Sequence, residues 1–216
     1  MNILFQLLIS SNVDAEDKTM SHGENRILQY VTGLLALFKY GEKLQNKNVK
    51  IYLRDNTIQK GRVINKKILA VVPDYVNITT CFKNFYGSKN KGAGMINQWK
   101  NYKNEISCHD WHIHYEPRQL LLNFDFFESF LERPRNLFYI HNKENNPHFW
   151  TGLFAIRTTD FLPFLKSVDL DIMVSRKISL EYLFYNYMIE NNIKFDTVDK
   201  LNLMWNDAAK DRWVNV

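Results

Sequence analysis

The chain has 216 residues, 45% hydrophobic, 14% aromatic and 24% charged, which is enough apolar material to bury the core of one good-sized domain and excludes a compositionally disordered chain. Lys and Arg outnumber Asp and Glu by 28 to 23, a net charge of +5 with a pI near 9.0. That charge is spread along the chain, and a basic surface of this kind suits phosphate-bearing ligands, nucleic acid or an anionic membrane face.

No apolar run reaches the roughly 18 residues of a membrane span. The apolar start MNILFQLLIS carries no basic flank and no small-residue cleavage site, so it reads as a first strand and a cytoplasmic protein is expected. Cys81 and Cys108 lie far apart and outside any CxxC pattern, so two reduced thiols are expected.

In chain order, NILFQLLIS (2–10) is a short apolar run that ends in polar Ser-Ser-Asn, as a buried strand does. Ser21 and Glu24 have capping-box spacing. Ile27, Val31, Leu34 and Phe38 then recur at helical spacing, with Leu28 and Leu35 beside them, predicting an amphipathic helix over about 24–44. VKIYLRDN (49–56) and VNITTCF (76–82) read as strands, and NFYGSKNKGAG leads as a glycine-containing loop into a helix over about 91–102. ISCHDWHIHYE (106–116) reads as the next strand. Pro117 suits a helix start and Pro134 its end, predicting a helix across 117–133. NLFYIH (136–141) and HFWTGLFAIR (148–157) read as strands, TTDFLPFLKSV (158–168) and ISLEYLFYNYMIENN (178–192) as helices, and IKFDTVDKLNLMW (193–205) closes the sheet. Strands separated by helices imply a three-layer α/β domain with a mostly parallel sheet, and ligands bind such a sheet outside the carboxyl ends of its strands.

Several residues carry chemistry at such ends. Alternation along 110–116 puts Asp110, His112, His114 and Glu116 on one face of a strand. Same-face neighbours stand roughly 7 Å apart, too far for four ligands on one ion. His114 and Glu116, at the end, suit a metal or a metal-bound phosphate, while Asp110 and His112 are expected as hydrogen-bonded core polar groups. No HExxH is present, so a zinc-hydrolase spacing is absent. Asp55 and Asn56 end a strand, where Asp accepts from a ribose hydroxyl or a base N–H, or simply makes an Asx-turn. Gly87, Gly92 and Gly94, with Lys89 and Lys91, precede a helix and suit a phosphate, although neither GxxxxGK[ST] nor GxGxxG is matched. His148, Phe149 and Trp150 before Thr-Gly suit either a sugar-stacking platform or core packing. Glu181 stands in the first turn of a helix, where the dipole favours a carboxylate and a general base finds a place.

In order and spacing, over about 1–205, these pieces resemble the GT-A glycosyltransferases, above all the family 2-like kind. The resemblance implies a three-layer, Rossmann-like GT-A domain over 1–216, with a nucleotide-sugar-binding half over about 1–115 and an acceptor-binding half over about 116–216. It implies that Asp55 in IYLRDNT, with Asn56, contacts the nucleotide, that Lys89, Lys91 and Gly92 of NFYGSKNKGAG and Arg118 bind the nucleotide sugar, and that His114 and Glu116 of HYE stand where the family's metal-binding DxD does. It implies Mn or Mg as cofactor, an acceptor site at His148, Trp150, Thr151 and Gly152, and Glu181 as the base of an inverting reaction. There is no literal DxD, and Glu181-Tyr182 stands where many members have Glu-Asp. The implied partners are a nucleotide-diphosphate sugar and a glycan or lipid-linked acceptor of surface polysaccharide (lipopolysaccharide or capsule) synthesis. The basic, Trp-rich MWNDAAKDRW (204–213) either rests on a membrane face or packs, and packing is expected. Two other readings stay open: a nucleotidyltransferase using the same Asp55 and Gly/Lys loop, and a nucleic-acid-binding protein using the basic and aromatic residues interleaved over 83–103.

Overall fold

The computed structural model describes residues 1–12, 23–45, 48–58, 62–81, 85–207 and 212–216. In chain order the elements are β1 (Ile3–Ile9), α1 (Gly23–Phe38), α2 (Gly41–Leu44), β2 (Val49–Asp55), α3 (Lys66–Leu69), β3 (Asn77–Thr80), α4 (Lys91–Asn101), α5 (Lys103–Ile106) and β4 (Trp111–Tyr115). Then follow β5 (Leu120–Leu121), α6 (Asp125–Glu132), β6 (Leu137–His141), β7 (His148–Phe149), β8 (Leu153–Arg157), α7 (Thr158–Ser167), α8 (Leu170–Ser175), α9 (Leu180–Glu190), β9 (Asp196–Val198), β10 (Leu203–Asp207) and β11 (Arg212–Asn215).

The main sheet runs in the order β3-β2-β1-β4-β8-β6-β7, with β9 also paired to β6. β3, β2, β1 and β4 are parallel, β8 is antiparallel to both β4 and β6, and β9 is parallel to β6. β1 lies in the middle because all seven of its residues are buried, as a near-continuous apolar run requires of a strand covered on both faces. Its side chains alternate between two cores: Phe5 and Leu7 join Tyr30, Leu34 and Phe127 under α1 and α6, whereas Leu4 joins Trp99, Phe161 and Phe184 under α4, α7 and α9. The result is a three-layer, Rossmann-like α/β domain with a mostly parallel sheet, as the sequence predicts.

The elements differ from expectation in places, each for a local reason. The helix over 24–44 breaks at Lys39 and Tyr40 into α1 and α2. Leu28 and Leu35 face solvent, because the inward face of α1 is centred on Gly33, whose missing side chain lets the helix lie against the Pro117 and Gln119 carbonyls. Ser21, half of the expected capping box, lies outside the described residues, as does Phe82. The strand beginning at Ile106 starts only at Trp111, after the short helix α5. Pro117 does not open a helix: Glu116–Gln119 is a turn, and β5 pairs with β10 before α6 begins at Asp125. HFWTGLFAIR splits at Trp150–Gly152 into β7 and β8. Only β9 of the last expected strand joins the main sheet, while β10 leaves it to pair with β5 and β11. Cys81 and Cys108 are both free. No helix among the described residues is long and apolar enough to cross a membrane.

Candidate active site

Chain order reverses between β1 and β4: β2 and β3 lie on one side of β1, and β4 returns on the other. In an open α/β sheet the crevice outside the carboxyl ends at such a point is where ligands bind. The segments that leave β1, β2 and β4 there are polar.

The first two are laced together. Ser10 Oγ donates to Asn56 Oδ1 at 2.6 Å, Asn12 N to Thr57 Oγ1 at 2.9 Å and Ser11 N to Asp55 Oδ2 at 3.2 Å. The other Asp55 oxygen accepts from Thr57 N at 2.8 Å and Thr57 Oγ1 at 2.6 Å. Asp55 is 1% exposed, and burial pushes its carboxyl up against these hydrogen bonds. The carboxylate therefore holds the two loops in shape from beneath, in the Asx-turn that its place at a strand end also allowed. On the α1 side, Ser10 N donates to the Tyr30 hydroxyl at 2.8 Å, Arg26 Nη2 donates to the same hydroxyl at 3.2 Å, and Arg26 Nε donates to Ser10 O. Neither Arg26 nor Tyr30 stands out in the sequence; the available signal is a charged and a phenolic residue four apart on the otherwise apolar face of an amphipathic helix.

The segment after β4 brings Glu116 and Arg118. Arg118 Nε donates to Glu116 Oε2 at 2.8 Å. Burial opposes both charges, yet the Arg118 guanidinium beside it holds the Glu116 carboxyl below its ordinary value, and Glu116 and Tyr30 raise the guanidinium above its own. The turn is pinned from three sides: Glu116 N donates to Gly152 O at 2.9 Å, Trp150 Nε1 to Gln119 Oε1 at 3.0 Å, and Gly33 leaves the space that Pro117 O fills.

The fourth segment is the start of α9. Glu181 Oε1 accepts from Thr151 Oγ1 at 3.1 Å, and Oε2 accepts from Ser179 Oγ. The half-buried carboxylate is thus oriented by two hydroxyls at the head of an 11-residue helix, on the side where its field reaches Arg118. The start of α4 packs against the same place. Asn90 caps α4 by accepting from Ala93 N at 3.1 Å, and its amide donates to Ile178 O at 2.9 Å. A Cβ on Gly92 would stand 2.5 Å from Leu180 Cβ, so this glycine permits close packing of α4 on α9. Lys91 is the first residue of α4, and Lys89, on the loop before it, lies 4.1 Å from the centre of the Phe85 ring.

The structure thus assembles Asp55, Asn56, Gly92, Glu116, Arg118, Thr151, Gly152 and Glu181 around one edge of the sheet. His148 and Trp150 lie beside it, with His148 4.5 Å from Tyr182 and Trp150 5.4 Å from Trp205 between ring centres. His114 does not join them. It is fully buried beneath α4, 5.1 Å from Trp99 and 5.3 Å from Phe154, and burial lowers its pKa to about 4. His112 is buried on the same face, 4.9 Å from Phe161, and neither ring has a hydrogen-bond partner among the described residues. Asp110 is exposed, not core, and accepts from Asn2 N at 2.7 Å. With His114 caged by aromatic rings and Glu116 paired to Arg118, these residues do not fit a divalent cation. Among the described residues no three His, Cys, Asp or Glu side chains gather to hold one. Within the interleaved segment over 83–103, Trp99 is fully buried and Lys100 donates to Val168 O, while Phe85 is exposed beneath Lys89.

No protein-family model and no curated protein matches the chain. Among solved structures, it is similar to a candidate nucleotide-diphospho-sugar transferase from Desulfovibrio desulfuricans, with a TM-score of 0.57 at 8% identity over 92% of this chain and 80% of that one. It also aligns with the CTP:phosphocholine cytidylyltransferase of Streptococcus pneumoniae, at TM-score 0.48 and 9% identity over 98% of this chain and 96% of that one. A cytidylyltransferase from Leptospira borgpetersenii aligns at TM-score 0.44 and 12% identity over 100% of this chain and 81% of that one. The first of these likenesses supports the fold alone, a Rossmann-like α/β domain with a mostly parallel central sheet.

Proposed function

We propose that the chain is a glycosyltransferase of the GT-A kind, moving a sugar from a nucleotide-diphosphate donor to a glycan or lipid-linked acceptor of surface polysaccharide synthesis, with inversion. The observation that carries this reading is the convergence, at the β1/β4 reversal, of Arg118 with two carboxylates from distant segments: Arg118 pairs with Glu116, whose N–H donates to Gly152 O, and the adjacent Thr151 donates to Glu181. A transferase of this type needs a cation where the diphosphate leaves and a base where the acceptor loses its proton.

The first half of the chain, about 1–115, holds the donor: the laced loops at Ser10–Asn12 and Asp55–Thr57 shape its nucleoside pocket, and Lys89, Lys91 and the start of α4 face its phosphates. Arg118 neutralises charge on the departing diphosphate, with Glu116 fixing the guanidinium. The second half, about 116–216, holds the acceptor near His148, Trp150, Thr151 and Gly152. Glu181 takes the proton of the acceptor hydroxyl as that oxygen bonds to the anomeric carbon, and the old carbon–oxygen bond breaks with its electron pair on the phosphate oxygen. A lipid-linked acceptor would bring this basic chain to the inner face of a membrane.

The test is release of nucleoside diphosphate from a panel of nucleotide sugars, with Glu181→Gln as control. Diphosphate release that Glu181→Gln abolishes supports the reading. Pyrophosphate release from a nucleoside triphosphate and a sugar phosphate, with no diphosphate release, makes the chain a nucleotidyltransferase instead.

A further inference from the structure

A run of aromatic side chains leads away from Glu181. His148 lies 4.5 Å from Tyr182 between ring centres, His141 5.2 Å from His148, Trp150 6.3 Å from His141 and Trp205 5.4 Å from Trp150. All five are half-buried or exposed. The run begins at the proposed base in the most direct way the chain permits. Glu181 and Tyr182 are consecutive in α9, Thr151 and Trp150 are consecutive before β8, and Thr151 donates to Glu181. At each dipeptide one residue serves the polar site and its neighbour serves the strip.

The strip is not an aliphatic groove. Its rings carry polar atoms, and the hairpin loop above it adds amides: Asn146 Nδ2 donates to the Tyr182 hydroxyl at 2.9 Å, and Asn146 O meets His148 Nδ1 at 3.1 Å. The loop keeps its shape because Asn142 and Asn146, with φ of 52° and 61°, occupy left-handed positions that asparagine tolerates better than most residues. Rings with an apolar face and a polar edge, interleaved with amides, match a pyranose, which offers a C–H face and a rim of hydroxyls. A lipid chain would need a continuous aliphatic lining instead.

We infer that the acceptor is a saccharide, seated on the strip formed by Trp205, Trp150, His141, His148 and Tyr182 so that its terminal hydroxyl reaches Glu181. This inference rests on the transferase reading above, and its test separates the two. The wild-type chain is applied to a glycan array, hits are titrated as free oligosaccharides by tryptophan fluorescence without any nucleotide, and an alkyl phosphate is titrated in parallel. Nucleotide binding is measured separately, by thermal stabilisation. The expected result is saccharide binding that perturbs indole emission and is weakened about tenfold or more in His148→Ala and Tyr182→Ala, with Tyr182→Phe restoring most of it. Binding of nucleotide but of no saccharide, binding of the alkyl phosphate alone, or saccharide affinity unchanged in both alanine variants overturns the inference while leaving the transferase reading standing. Saccharide binding on the strip with no nucleotide binding supports the strip and removes the transferase reading.

Discussion

Glu181 has each carboxylate oxygen held by a different hydroxyl, Thr151 on one side and Ser179 on the other. The two oxygens are therefore fixed in direction. Glu181→Gln keeps one acceptor oxygen and turns the other into an amide that can only donate to its hydroxyl neighbour, so the side chain stays anchored but loses its basicity. If Glu181 is the base, turnover should fall about 10²–10⁴-fold while the fold is retained, and diphosphate release, with circular dichroism as control, checks it. Arg118→Ala should do two things at once, because it strands the partly buried Glu116 carboxylate. It should cost about 2 kcal/mol of stability in urea denaturation and weaken nucleotide binding, whereas Arg118→Lys should recover more of the stability than of the binding. Asp55 and Glu181 were legible in the sequence because a carboxylate at a strand end or a helix start is a local feature. Their partners were not: Ser11 and Thr151 lie 44 and 30 residues away, and only the sheet brings them together.

At the scale of elements, α1 is aimed by one glycine. A Cβ on Gly33 would stand 1.6 Å from the Pro117 carbonyl oxygen, which belongs to backbone and cannot rotate aside. Gly33→Ala should therefore lift α1 off the Glu116–Gln119 turn, cost about 3 kcal/mol, and lower nucleotide affinity through displaced Arg26 and Tyr30, with both effects read by thermal melts with and without nucleotide. β4 carries a different signature. His112 and His114 are packed neutral against Trp99, Phe154 and Phe161, and burial holds both below the ordinary histidine value, His114 at about 4. A pKa depressed by folding means that stability is fully present above the unfolded value near 6.5 and is lost as pH falls toward 4. For His114 the loss amounts to about 3 kcal/mol. Urea midpoints between pH 7 and pH 4 should fall accordingly, and His114→Leu should flatten the slope. Alternation in WHIHY made the two faces of β4 readable, but not that α4 would cover His114 with Trp99. Pro117 misled because a helix start and a turn ask the same φ of proline, and the turn prevailed through β5 pairing with β10, some 80 residues downstream.

At the scale of the whole molecule, the strand order places the site. The periodic apolar runs made the parallel α/β sheet legible, and with it the edge on which the segments bearing Asp55 and Glu116 leave their strands. The antiparallel β8 and the departure of β10 were not legible, since each depends on pairing between distant segments; His148 and Trp150 suggested a platform, but not that His141, Tyr182 and Trp205 would join them. The claim that joins these scales is that the β1/β4 edge binds a nucleotide diphosphate through Arg118. Thermal stabilisation by a panel of nucleoside diphosphates and nucleotide sugars tests it most directly, because a ligand that binds only the native state must raise the melting temperature by mass action. The expected result is a rise with one base's diphosphate and its sugar, strongly reduced in Arg118→Ala. No rise with any member of the panel, or an equal rise in Arg118→Ala, would contradict it.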